Sequence, residues 1–151
     1  MTTMAIQGIR GGCGSTSVTA SLAWSLAQAG QSVLAIDFSR ENLLRLYFDM
    51  PYDNKHGWMI NSSQDKQHNG VINYADNLDY LPFGLLDEET IEMCVSELLS
   101  QIKDRGLKYP EKLSGLFSER YQWILLDLPS TRCPLINLGQ LLADIHLCIL
   151  N

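Results

Sequence analysis

A glycine-rich stretch near the start of the chain, residues 8–17, constrains the fold more than any other feature. Its sequence is GIRGGCGSTS, and it lies between the apolar run 4–6 and a segment, 18–26, with the composition of a helix. A strand followed by a glycine-rich turn and a helix is the arrangement in which backbone N–H groups bind phosphate. Glycine permits positive φ and close approach to a ligand, and the helix N-terminus adds partial positive charge. We therefore predict a phosphate-binding loop here.

The same stretch departs from the usual phosphate-loop pattern GxxxxGK[ST] at two positions. Ile9 stands where the first glycine belongs, with Gly8 one residue earlier, and Ser15 stands where the lysine belongs. That lysine normally reaches the β- and γ-phosphates, so its replacement removes a point charge from the predicted site. A tight structural turn is the alternative interpretation of these glycines.

Length, composition and charge restrict the class of protein. The chain has 151 residues, of which 46% are hydrophobic and 19% charged, as in one folded domain spanning residues 1–151. No apolar run approaches the roughly 18 residues that a membrane span needs, and no signal peptide is evident. The formal charge of −6 disfavours a broad nucleic-acid surface. We therefore expect a cytoplasmic protein without a nucleic-acid partner.

Neither cysteines nor histidines form a metal-binding pattern. The four cysteines are scattered without a CxxC pair, which argues against a zinc site and favours reduced thiols. His56 and His68 fall in a polar stretch and His146 on a strand of buried type, so none is a good catalytic candidate.

Predicted strands alternate with predicted helices along the chain. The predicted strands cover 3–7, 32–37, 78–82, 122–129 and 145–150, and the predicted helices cover 15–28, 88–105, 111–120 and 137–143. The polar stretch 51–77 is interpreted as a long loop with small elements. This alternation predicts an α/β fold with a parallel sheet flanked by helices and right-handed crossovers.

Two acidic residues end buried strands in this pattern. Asp37 follows the apolar run 33–36, and Asp127 follows Trp123-Ile124-Leu125-Leu126. Ligand sites in open parallel sheets lie beyond the carboxyl ends of the strands, so both acids and the glycine-rich loop are expected at one edge. A carboxylate there is suited to Mg²⁺, with Thr16 as the loop hydroxyl that meets the metal. A helix cap or turn is the structural alternative for each acid.

The loop resembles the deviant Walker A motif of the MinD/ParA group, whose pattern is KGGxGKT[ST]. The corresponding residues 10–17 are RGGCGSTS. Within this group the chain is most similar to the BcsQ (YhjQ) family of bacterial cellulose secretion. The blocks that carry this likeness are QGIRGG at 7–12, AWSL at 23–26, ENLLRL at 41–46, LPFG at 81–84 and YQWILLDLP at 121–129.

The resemblance implies a P-loop NTPase fold that binds ATP and Mg²⁺ as a nucleotide-sandwich homodimer. It also implies a role, with the small partner BcsR, in assembling and targeting the cellulose synthase secretion complex. Membrane association at the inner membrane or cell pole would then depend on partners. The residues that the resemblance assigns to the nucleotide are Arg10, Gly11, Gly12, Cys13, Gly14, Ser15, Thr16 and Ser17.

The resemblance also implies roles for individual side chains. Thr16 would ligate Mg²⁺, with Asp37 and Asp127 around the metal. Arg10 holds the place of the group's signature lysine, which reaches the nucleotide of the partner across the dimer. Asp37 is the only residue that we consider for a catalytic role. Cys13 is interpreted as a packing residue.

Two departures from the group bear on hydrolysis. Ser15 replaces the loop lysine, and Ser39 stands where hydrolysing members carry a second acid that positions the attacking water. Arg10 keeps a cation near the phosphates, and its guanidinium suits bidentate contact. We therefore expect ATP binding with slow or negligible turnover.

Proteins of the resembled family are considerably longer than this chain. We expect the chain to be the N-terminal part of a longer domain, because a sheet ending near residue 150 leaves an apolar edge exposed. Three alternative functions remain: a ParA-like ATPase that partitions DNA or cargo, a small kinase or ATP-dependent ligase, and a binding module without nucleotide. The charge of −6 and Ser39 speak against the first, and Ser15 speaks against the second.

Overall fold

A six-stranded sheet forms the centre of the fold in the computed structural model, which describes residues 1–60 and 70–150. The strand order is β3-β4-β2-β5-β1-β6. The strands are β1 (Thr2–Gly8), β2 (Val33–Asp37), β3 (Ile72–Ala75), β4 (Leu78–Leu81), β5 (Trp123–Asp127) and β6 (Ile145–Ile149). The helices are α1 (Ser15–Gln28), α2 (Glu88–Lys103), α3 (Glu111–Ser114) and α4 (Pro134–Leu142), with a 3₁₀ helix at Leu44–Tyr47.

Alternating side chains of the central strands pack into two cores, one on each face of the sheet. On β2, Val33 and Ala35 face α1, whereas Leu34 and Ile36 face the layer formed by α2, α3 and α4. All five residues of β2 are buried, as expected for a parallel strand covered on both faces. The architecture is therefore the predicted α/β arrangement of helices around a mostly parallel sheet.

Helix α1 matches its predicted bounds, because both of its ends have local signals. Gly14 precedes its first residue in the left-handed conformation, at φ 85°. At the other end Gly30, at φ 80°, closes the helix: its N–H donates to Ala27 O and the N–H of Gln31 donates to Leu26 O. Small buried side chains let this helix lie close to the sheet.

Helices α3 and α4 differ from their predicted bounds. The predicted helix over 111–120 ends at Ser114, where Gly115 follows as the C-terminal cap and residues beyond it form turns. Helix α4 begins at Pro134, three residues before the predicted start, because proline fits the first helical turn, where its missing N–H has no partner to lose.

The two edges of the sheet also differ from the prediction. β3 lies within the stretch predicted as a loop and pairs antiparallel with β4, whereas the other four strand pairs are parallel. Among the described residues, β6 has a neighbouring strand on one side only, and it is largely exposed. Assigning His146 to a buried strand was therefore wrong, because its side chain is exposed. Within residues 1–60 and 70–150, no helix is both long and apolar enough to cross a bilayer.

Candidate phosphate-binding site

The glycine-rich loop connects the end of β1 to the start of α1 at the carboxyl edge of the sheet. Gly12 and Gly14 have positive φ, at 80° and 85°, which most side chains tolerate poorly. A Cβ on Gly8 would lie 2.1 Å from the Sγ of Cys13, so glycine is needed there for space. Cys13 is buried, and its thiol donates a hydrogen bond to the carbonyl of Arg10 at 3.0 Å. The side chain of Arg10 is exposed.

Asp127 at the end of β5 lies against two threonines of α1. Its carboxylate accepts hydrogen bonds from the side chain of Thr16 and from Oγ1 of Thr19, the latter at 3.1 Å. Asp127 is only 1% exposed, and burial raises its pKa to about 6 although both hydroxyls act to lower it. Thr19 is not among the site residues predicted from the sequence. Its spacing of three from Thr16, which places both on one helix face, was the available signal.

Asp37 is the register partner of Asp127 on the neighbouring strand, but its own hydrogen bonds go to the backbone. One carboxylate oxygen accepts from the N–H of Ser39 at 2.8 Å and the other from the N–H of Leu44 at 3.1 Å. Complete burial, and then the charge of Asp127, raise the pKa of Asp37 well above its usual value. Asp37 therefore orders the turn after β2 in addition to lying beside the site.

Two of the sequence blocks that carry the family resemblance, 41–46 and 81–84, contact each other next to this edge of the sheet. Asn42, at φ 53°, is buried, and its side-chain oxygen accepts from the N–H of Phe83 at 3.1 Å. The indole N–H of Trp58 donates to the backbone carbonyl of Asp37 at 2.7 Å. The first contact ties the turn after β2 to the segment after β4, and the second ties Trp58 to the end of β2.

The arrangement suits a hard cation beside phosphate groups. The hydroxyl of Thr16 and the carboxylate of Asp127 are oxygen donors already in contact, and Mg²⁺ prefers oxygen ligands. Asp37 lies next to them, and each of its carboxylate oxygens accepts a hydrogen bond from a backbone N–H. A metal bound to Asp37 would therefore use an oxygen that also accepts one of these hydrogen bonds. The structure thus brings together the predicted loop and both predicted acids. His56 is exposed, and His68 lies outside the described residues.

The fold is that of P-loop NTPases of the ParA/MinD type. A plasmid partition protein from Borrelia burgdorferi is similar in fold, with a TM-score of 0.68 and 20% identity, over 97% of this chain and 64% of that chain. A cobyrinic acid a,c-diamide synthase from Mycobacterium smegmatis, with bound ATP analog and magnesium, has a TM-score of 0.74 and 18% identity, over 99% of this chain and 60% of that chain.

The sequence comparisons narrow this class to one family. The family model described as "Cellulose biosynthesis protein BcsQ" matches residues 1–151. Cellulose biosynthesis protein BcsQ of Escherichia coli K12 is 37% identical over 159 residues, which cover 100% of this chain and 59% of that relative. The chain belongs to the BcsQ family, which confirms the resemblance identified from its sequence, and it spans 59% of the length of that curated relative.

Proposed function

We propose that this chain binds ATP with Mg²⁺ as the nucleotide-binding part of a cellulose biosynthesis protein. The observation that carries the proposal is the contact of Thr16 with Asp127, directly after the glycine-rich loop that joins β1 to α1. The loop N–H groups would surround the phosphates, and Thr16, with Asp127 and Asp37 beside it, would hold the metal. When bound, Mg²⁺ would neutralise part of the phosphate charge.

Slow hydrolysis is part of this proposal. Ser39 occupies the place of the acid that orients water, and its N–H donates to Asp37. Ser15 supplies no positive charge to the phosphates. A bound nucleotide would therefore act as a conformational signal more than as a substrate. The alternative of a DNA-partitioning ATPase is disfavoured by the net charge of −6.

The biological role is proposed from family membership. A homodimer with nucleotide at the interface, with Arg10 reaching the phosphates of the partner, would bind BcsR and components of the cellulose synthase complex. Recruitment to the inner membrane would occur through those partners. Co-purification of the chain with cellulose synthase subunits, and its loss in a variant that cannot bind ATP, would support this role.

Titration calorimetry with ATP and Mg²⁺ tests nucleotide binding. Thr16→Ala removes the metal-facing hydroxyl, so we expect about a tenfold or greater loss of Mg-ATP affinity, whereas Thr16→Ser should retain binding. Ser21→Ala, which removes an exposed hydroxyl from the same helix, is the matched control. The wild-type chain should release phosphate far below roughly 1 s⁻¹, the low end of ordinary enzyme turnover. Rapid Mg²⁺-dependent hydrolysis, or no ATP binding by the wild type, would contradict the proposal.

A further inference from the structure

Two cavities meet at the loop that follows β5, residues 128–133. One, of about 290 Å³, lies between this loop, the turn after β2 and the first turns of α2. The other, of about 630 Å³, is bounded by the same loop, the end of β1 and the start of α4. Arg132 is the charged residue that lines both cavities. Its side chain therefore stands between the ends of β1 and β2, on the edge that holds the phosphate loop.

The base of this loop is fixed close to the phosphate loop. The N–H of Leu128 donates to the carbonyl of Ile6 at 2.9 Å, which ties the start of the loop to β1. A Cβ placed on Gly11 would lie 3.8 Å from Oγ of Ser130, so the two loops are near van der Waals contact. Ile9 of the phosphate loop shares the second cavity with Arg132. Arg132 therefore lies two residues after Ser130, which is next to Gly11 of the predicted phosphate site.

Among the described residues, Arg132 differs from other arginines because it has no hydrogen-bond or ion-pair partner. Four others are engaged: Arg40 with Glu88, Arg45 with backbone carbonyls, Arg105 with Glu111 and Arg120 with Asp79. Arg132 is exposed and forms no hydrogen bond or ion pair within residues 1–60 and 70–150. No hydrogen bond or ion pair within this part of the chain has to be broken before its guanidinium binds a ligand.

The charge balance of the edge favours a phosphate as that ligand. Asp37 and Asp127 bring two carboxyl groups to the strand ends, and Ser15 leaves the usual lysine position neutral. A triphosphate adds further negative charge, which needs cations at short range. Arginine is suited to this task, because its planar guanidinium donates two parallel hydrogen bonds to phosphate oxygens.

We infer that Arg132 contacts the terminal phosphate of the bound nucleoside triphosphate and supplies the positive charge that Ser15 does not. The inference rests on the proposed nucleotide binding and deepens it, because a contact to the terminal phosphate makes the site distinguish the triphosphate from the diphosphate. Arg132 is then a specificity-determining residue, which would let the chain respond to the state of its nucleotide.

Calorimetric titration of ATP and ADP, each with Mg²⁺, into three variants tests this role. Arg132→Gln should weaken ATP binding about tenfold and leave ADP binding within about twofold, because only ATP has the third phosphate. Arg132→Lys keeps the charge without the paired donors and should give an intermediate loss for ATP. Arg105→Gln, which removes an exposed arginine beyond the far end of α2, should change neither affinity.

The outcomes separate this inference from the proposed function. Unchanged ATP affinity in Arg132→Gln, or equal loss of ATP and ADP affinity, overturns the role of Arg132 and leaves ATP binding standing. A wild-type chain that binds neither nucleotide overturns both. Thermal unfolding of each variant checks folding. If Arg132→Gln does not fold, Arg132→Lys provides the test. An ATP affinity of Arg132→Lys equal to that of the wild type overturns the bidentate contact.

Discussion

Asp37 and Asp127 have the same sequence context but different surroundings in the structure. Each follows a buried apolar strand, and the two strands are neighbours in register. Asp127 faces the hydroxyls of Thr16 and Thr19, whereas Asp37 accepts two backbone N–H groups of the turn that follows it. The first carboxylate is therefore held by side chains of α1, and the second holds the turn that follows β2.

The raised pKa of Asp127 predicts a pH dependence of stability without nucleotide. Its folded pKa of about 6 exceeds the reference value of 3.8, so the folded state retains a proton that the unfolded chain releases. This contribution to stability is complete below the reference value and is lost as pH rises through about 6. Relative to Asp127→Asn, the wild-type free energy of unfolding should fall by about 2 kcal/mol between pH 4 and pH 7.5.

Urea unfolding at several pH values measures this difference. Asp53→Asn, which removes an exposed carboxylate, is the control and should track the wild type. A constant difference between the wild type and Asp127→Asn across this pH range would show that burial does not raise the pKa of Asp127.

At the scale of elements, residues 57–60 and the segment after β4 approach each other closely along their backbones. The N–H groups of Trp58 and Met59 donate to the carbonyls of Pro82 and Phe83 at 3.0 and 3.2 Å, so residues 57–60 run along the segment after β4. A Cβ on Gly57 would lie 2.1 Å from the backbone N of Gly84. Glycine is required at position 57 because the opposing atoms are backbone and cannot rotate away.

Gly57→Ala should therefore separate these two segments. We expect a loss of about 3 kcal/mol in the free energy of unfolding, from overpacking and from lost hydrogen bonds. His56→Ala, at the exposed neighbouring position, should stay within about 0.5 kcal/mol of the wild type. Denaturant unfolding measures stability, and tryptophan fluorescence, to which Trp24, Trp58 and Trp123 all contribute, includes a signal from the indole that binds the carbonyl of Asp37. A Gly57→Ala variant as stable as the wild type would exclude the close approach.

At the scale of the whole molecule, the strand order assembles the site from distant parts of the chain. β1, β5 and β2 are adjacent in the sheet, so the loop after residue 8 lies beside Asp127 and Asp37. A ligand that contacts all three strand ends binds only the folded chain, and it stabilises that state by mass action.

ATP should therefore raise the thermal midpoint of the chain. At a concentration of about 100 times Kd, mass action contributes about 2.7 kcal/mol, which corresponds to roughly 5–10 °C for a domain of this size. The increase should require Mg²⁺ and disappear on addition of EDTA. Differential scanning fluorimetry with ATP, with and without EDTA, makes the measurement. An equal increase in both conditions would show that the metal takes no part.

Features that depend on neighbouring residues could be predicted from the amino-acid sequence alone. The loop and the bounds of α1 follow from glycines at fixed positions, and β2 and β5 follow from apolar runs that end in an acid. Parallel strands place their ends at one edge, so the meeting of these acids with the loop was also predictable. The family resemblance was visible for the same reason, because it lies in short contiguous blocks.

Other features depend on the path of turns and on where each element lies in the fold, and these are visible only in the tertiary structure. The antiparallel pairing of β3 and the exposure of β6 follow from their edge positions, which composition does not encode. The engagement of Asp37 by backbone N–H groups depends on the path of the turn, and the approach of Ser130 to Gly11 depends on how two loops pack. Gly11 and Ser130 are more than a hundred positions apart in the sequence, so no local pattern specifies their approach.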